Sequence, residues 1–134
     1  MASQSGGAVQ LPFLNSDTFD TSLRNALERA PGVVQVGIEG RIEVATFPER
    51  LDRWLVAVQD SGGRVAQRTV PPPGETPGRF VGTIVDFAVK LWNLGEQRRR
   101  YAAAAGYDAI VDVERDTGRV RGIVFQRRPD SVAR

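Results

Sequence analysis

Four carboxylates, Asp108, Asp112, Glu114 and Asp116, fall within nine positions near the C-terminal end of this 134-residue chain, interleaved with Ala109, Val111 and Val113. At strand spacing Asp112 and Glu114 share one face about 7 Å apart. Such a pair can hold a divalent cation or divide acid and base roles. It can equally form cross-strand ion pairs with Arg119 and Arg121 on a returning strand, and the sequence favours that use. Ile110 lies on the same face, so the face is not wholly solvated. The second cluster is Arg98-Arg99-Arg100-Tyr101, with Arg127 and Arg128 further on. Guanidinium planes grip phosphate or carboxylate through paired N–H groups, and a neighbouring Tyr can stack on a base. Arg98, Arg99, Arg100, Tyr101, Arg127 and Arg128 are therefore the candidate partner-binding residues. Near a helix C-terminus the same arginines complement the helix dipole.

What the chain lacks narrows the chemistry further. It has no Cys and no His, which removes thiol nucleophiles, disulfides, Cys/His zinc sites and imidazole proton shuttles. Asp116-Thr117-Gly118 resembles the catalytic triplet of the aspartic proteases, over three residues only. Those enzymes need two carboxylates sharing a proton in an apolar setting, whereas Arg115 and Arg119 flank the triplet here. Asp-Thr-Gly also meets the needs of a short hairpin loop with Gly in the left-handed position, so a turn is expected. Trp54 and Trp92 fall on apolar helix stripes and are expected in the core. They would wall a ligand pocket only if their ring nitrogens found no internal partner. Asp86 is expected at the surface, paired with Lys90 at i+4; a buried Asp86 would favour a small-ligand or enzymatic domain. Gly37-Ile38-Glu39-Gly40 lacks the Lys and the following helix of a phosphate loop. No catalytic residue, metal ligand or cofactor is assigned.

The formal charge is +2, from 17 Arg and one Lys against 16 acids. Residues 1–96 hold 9 basic and 11 acidic groups, and residues 97–134 hold 9 and 5. The basic excess at the C-terminal end can steer an acidic partner. With 41% apolar residues and 14 Gly, the chain is globular and long enough to bury a core without metal or disulfide staples. Its longest apolar stretch, Val81 to Leu94, is too short and too charged to cross a bilayer. The N-terminal residues carry no signal-peptide pattern, which suggests the cytoplasm, or the periplasm if a leader has been removed.

The elements that must position these residues follow from periodicity. Residues 1–12 read as a flexible arm. Asn15-Ser16-Asp17 offers N-cap chemistry, and Phe19, Leu23, Ala26, Leu27 and Ala30 recur at helical spacing up to Pro31-Gly32. Val34, Val36 and Ile38, then Ile42, Val44 and Thr46, read as a hairpin. Pro48 opens a helix carrying Leu51, Trp54, Leu55 and Val58 on one stripe, and Gly62-Gly63 closes it. A strand follows at 64–70. The prolines of 71–78 form a connector, since consecutive prolines cannot continue a ladder. A long helix is expected from Phe80 to Ala104, with Val81, Ile84, Val85, Ala88, Leu91 and Trp92 facing the core. Strands at 107–114 and 119–127, joined by the Asp-Thr-Gly turn, precede a polar tail from Pro129.

The expected order is α-β-β-α-β-α-β-β over residues 13–128. This is an α+β domain with a mainly antiparallel sheet of about five strands and two or three helices on one face. The strand-helix-strand unit of residues 41–70 resembles ferredoxin-like modules of bacterial envelope machines as a pattern, without a motif that names a family. The expected function is a non-catalytic protein-binding module, an accessory or assembly subunit of a larger bacterial complex. Its partner would be another protein or a second copy. The alternatives are nucleic-acid binding through Arg98–Arg100 and Arg127–Arg128, or a small-ligand-binding domain.

Overall fold

The apolar stripes of the two N-terminal helical segments become buried faces in the computed structural model of the chain, which describes residues 8–29, 31–71, 84–90 and 94–129. Helix α1 spans Asp17–Glu28 and buries Phe19, Leu23, Ala26 and Leu27. Helix α2 spans Glu49–Asp60 and buries Leu51, Trp54, Leu55 and Val58. The end of α2 follows from two glycines. Gly62 adopts φ 95°, and the main-chain N–H groups of Gly62 and Gly63 donate to Gln59 O at 3.0 Å and Val58 O at 2.9 Å. This left-handed cap satisfies carbonyls the helix would otherwise leave open. Gly63 has a second constraint: a Cβ there would lie 2.2 Å from Tyr107 O.

Six strands form one sheet: β1 Ala8–Pro12, β2 Val33–Gly37, β3 Val65–Val70, β4 Ile84–Asp86, β5 Tyr107–Glu114 and β6 Val120–Arg127. Their spatial order is β1-β2-β6-β5-β3-β4. Pairs β1/β2 and β3/β5 are parallel, and β2/β6, β5/β6 and β3/β4 are antiparallel. The architecture is therefore α+β with a mixed sheet, where five mainly antiparallel strands were expected. The α1 crossover between β1 and β2 accounts for one parallel pair, and the passage from β3 to β5 accounts for the other. Alternate strand residues, among them Val34, Val36, Val65, Ala109, Val111, Ile123 and Phe125, join the helices in one core.

Several elements differ from the sequence expectation, each for a physical reason. Residues 8–12, expected as part of a flexible arm, form β1, because Val9 and Leu11 pack onto the core at period two. The hairpin expected over 34–46 lacks its second strand. Val44–Thr46 form a single 3-10 turn held by a reciprocal Glu43–Thr46 cap, and Glu43 makes only an isolated bridge with Arg119. The place beside β2 is taken by β6, which brings eight residues to the sheet. The unit over residues 41–70 accordingly does not make a parallel pair, and the element order departs from the ferredoxin-like β-α-β-β-α-β.

The long helix expected from Phe80 to Ala104 is the largest correction. Ile84–Asp86 pair with β3 as a strand, where the β-branched Ile84 and Val85 are at home. Both side chains are exposed instead of facing the core. Gly95 sits at φ 59°, and Gly95–Ala104 follow as a 3-10 helix. Ala88 of the expected stripe is exposed as well, while Phe87 and Leu94, outside that stripe, are buried. Val81, Leu91 and Trp92 lie outside the described residues, as do the prolines of 72–77 and the tail beyond 129. On β6, where plain alternation would put Val120 and Val124 on one face, Val120 joins Ile123 and Phe125 on the core side. The ladder opposes Asp112 to Gly122 and Val113 to Val120, so Arg121 is an extra, bulged residue.

Candidate functional site

Helices α1 and α2 and the 3-10 helix contact one another and pack on the same side of the sheet. The other side is built from the alternate residues, and no described helix covers it. Two rows cross it strand by strand. One row runs Gln10, Gln35, Val124, Ile110, Ala66, Asp86. The next runs Pro12, Gly37, Gly122, Asp112, Arg68, Ile84. Two adjacent glycines leave the second row low on its β2–β6 side, and a depression of about 520 Å³ opens above them. Gly37 has nothing within 4 Å of where a Cβ would stand. Gly122 is required by close strand approach, since its Cβ would meet Val36 O at 2.5 Å.

Every acid of the β5 run on this face is committed to a donor. Asp112 accepts Arg68 Nε at 2.8 Å and Arg68 Nη2 at 3.0 Å, a two-pronged pair across β3 and β5. Glu114 is buried and accepts Thr117 Oγ1 at 2.7 Å and Arg121 Nη1 at 3.2 Å. Asp108 accepts the Arg64 main-chain N–H at 2.9 Å. Asp86 is exposed and pairs with Arg64 at 3.2 Å, while Lys90 donates to Ala45 O; the expected Asp86–Lys90 pair is replaced by these. The ion-pair reading of Asp112 and Glu114 holds, with Arg68 in place of Arg119 for Asp112. Among the described residues no group of three or more acidic side chains is placed to hold a metal ion. The Asp116-Thr117-Gly118 segment is a turn, with Gly118 at φ 74° donating its N–H to Glu114 O.

The structure brings two of the candidate arginines, Arg98 and Arg128, to one place and sets Tyr101 apart from them in the core. Arg98 reaches Asp60 at 3.8 Å, and Arg128 Nη2 donates to Ser61 O at 3.1 Å. Both therefore sit at the C-terminal end of α2, where a cation opposes the helix dipole. Arg99 and Arg100 are exposed. Tyr101 is fully buried with its ring edge-on to Trp54 at 4.8 Å, so it is not presented for stacking on a base. Trp54 Nε1 donates to Asp20 Oδ1 at 2.9 Å, and Arg50 holds the other oxygen of Asp20. Trp54 is thus a core residue with a satisfied ring nitrogen. Asp52 on α2 is buried with Oδ1 unpartnered. Burial pushes its carboxyl above the ordinary range, against the downward pull of the Lys90 main-chain N–H and ammonium, with Glu49 adding to the rise.

The free edge of the sheet at β1 is guarded. Phe13 N–H donates to Gly37 O at 2.8 Å, so in this parallel ladder residues 9 and 11 bond to β2, while 8, 10 and 12 turn their main-chain groups outward. Position 12 is Pro and offers no donor there. The broader open surface among the described residues is the side of the sheet away from the helices. Sequence reading missed Gln10, Gln35, Gly37, Gly122 and Arg68 as its members. The signal was the uncharged alternation of Val33, Gln35, Gly37 with Val34, Val36, Ile38. No helix of the described residues is long and apolar enough to cross a membrane. No protein-family model, no curated protein and no solved structure matches the chain.

Proposed function

We propose that this chain is a non-catalytic protein-binding module that docks through the uncovered face of its sheet. One observation carries the reading: among the described residues the helices lie on one side of the six-stranded sheet, and the other side presents Val124 and Ile110 at its centre amid paired charges. Arg68 and Asp112, Arg121 and Glu114, and Arg64 and Asp86 neutralise one another on this face. Such a mosaic, apolar at the middle and polar at the rim, has the make-up of a protein–protein interface. It is a poor match for a polyanion, which needs unpaired cations along a track. Catalysis is disfavoured because each acid on this face already holds a donor.

Photocrosslinking tests the reading. A photoreactive residue at Val124, on the open face, is compared with one at Glu28, exposed on α1. The proposal expects a discrete protein adduct from Val124 alone. Adducts from neither position, or equally from both, would contradict it.

A further inference from the structure

We infer that the partner seated on the open face is a second copy of this chain, packed sheet to sheet about a twofold axis that runs along the strands between β5 and β6. The inference rests on the protein-binding reading and adds the identity of the partner. An isologous contact requires a surface that complements itself under rotation, and the register of this sheet does so.

The axis places β6 over the partner copy's β5, and β2 over its β3. In the first row the half-buried Val124 then meets Ile110, apolar on apolar, and the exposed, long Gln35 lies over the low position of the buried Ala66. In the second row the low Gly37 and Gly122 receive the tall Arg68–Asp112 pair. The depression of about 520 Å³ on one half of the face is thereby filled by the relief of the other half. Gln126 faces Asp108, an amide donor over an acceptor. The other in-plane axis, across the strands, fails on charge: it would set Asp112 over Asp108 and Arg68 over Arg64. Opposed like charges disfavour that pairing.

The size of the face suits a reversible dimer. Six strands at ~4.8 Å and five or more residues at ~3.3 Å give a flat projection of roughly 500 Å². With side-chain relief, two copies would bury on the order of 1,200 Å², the lower end of specific interfaces. Sheets packed this way cross at about 30°, so the opposition is tightest at the centre and relaxes toward β1 and β4.

The full chain tests this without background, because it has no cysteine of its own. Sedimentation at about 100 µM is expected to show a dimer. Gln35→Cys mixed with Arg64→Cys, exposed one row from the buried Ala66, should cross-link through a short bismaleimide, and Gln35→Cys alone should not. Gly37→Arg, whose side chain starts in open space, should weaken the dimer at least about tenfold while the thermal midpoint holds. Val124→Lys serves if that variant folds poorly. A monomer at 100 µM, self-linking of Gln35→Cys, or a dimer indifferent to both substitutions overturns the inference. A monomer that still yields a Val124 photoadduct on a different protein removes the self-pairing and leaves the docking face standing. A dimer indifferent to both substitutions, with no Val124 adduct, removes both.

Discussion

Asp52 and Asp20 show how one residue type takes opposite roles on the helical side. Asp52 is buried with one oxygen unpartnered, and burial raises its pKa. A carboxyl whose folded pKa exceeds the unfolded value near 4 binds its proton more tightly in the folded state. Stability should therefore grow as pH falls through the folded pKa toward that value, and lie lowest above it. Asp52→Asn removes the charge and keeps an acceptor for the Lys90 N–H. It should raise the thermal midpoint by about 2–4 °C at pH 7, with the advantage gone below about pH 4. A lower midpoint at pH 7 would mean that the carboxylate is compensated. Asp20 is the reverse case, holding the Trp54 indole and Arg50 together. Asp20→Ala leaves the buried Trp54 indole without its acceptor and Arg50 with only Asn15 and Asp17, and should destabilise by about 2–3 kcal/mol in urea titrations. Asp20→Asn should do less, since it still accepts from the indole.

At the scale of elements, legibility followed the clarity of the local signal. The α2 stripe, its Gly62-Gly63 end and the β5–β6 hairpin were readable because period and turn chemistry agreed there. Ile84 and Val85 were misread because apolar, β-branched runs fit a helix or a strand, and only pairing with β3 decides. The strand at 42–46 was misread because alternation cannot say whether a neighbour is available, and β6 takes that place. The β6 bulge at Arg121 reversed the face of Val120, which no single-strand pattern reveals. The meeting of Arg98 and Arg128 at the end of α2 and the burial of Tyr101 were not legible, since both depend on how distant segments pack. Gly63 carries the sharpest prediction at this scale. Gly63→Ala forces a Cβ against Tyr107 O and should destabilise by about 3 kcal/mol or more, or prevent folding. A midpoint within 1 °C of the parent would show that the α2–β5 approach is looser than described.

For the whole molecule, the two sides of the sheet divide the work. Helices and core supply the stability, and no described helix covers the far side, low-relieved at Gly37 and Gly122. Arg99 and Arg100, exposed on the helical side, stand apart from that division. Arg99→Glu with Arg100→Glu should change stability by no more than about 0.5 kcal/mol and leave protein association intact. The most direct test of the account is native mass spectrometry of the chain isolated from its source, as the parent protein, as Val124→Lys and as the double arginine variant. A complex heavier than the 14.7 kDa monomer is expected for the parent and the arginine variant, and free monomer for Val124→Lys. A parent that runs as monomer, or a complex lost with the arginines and kept by Val124→Lys, would contradict it.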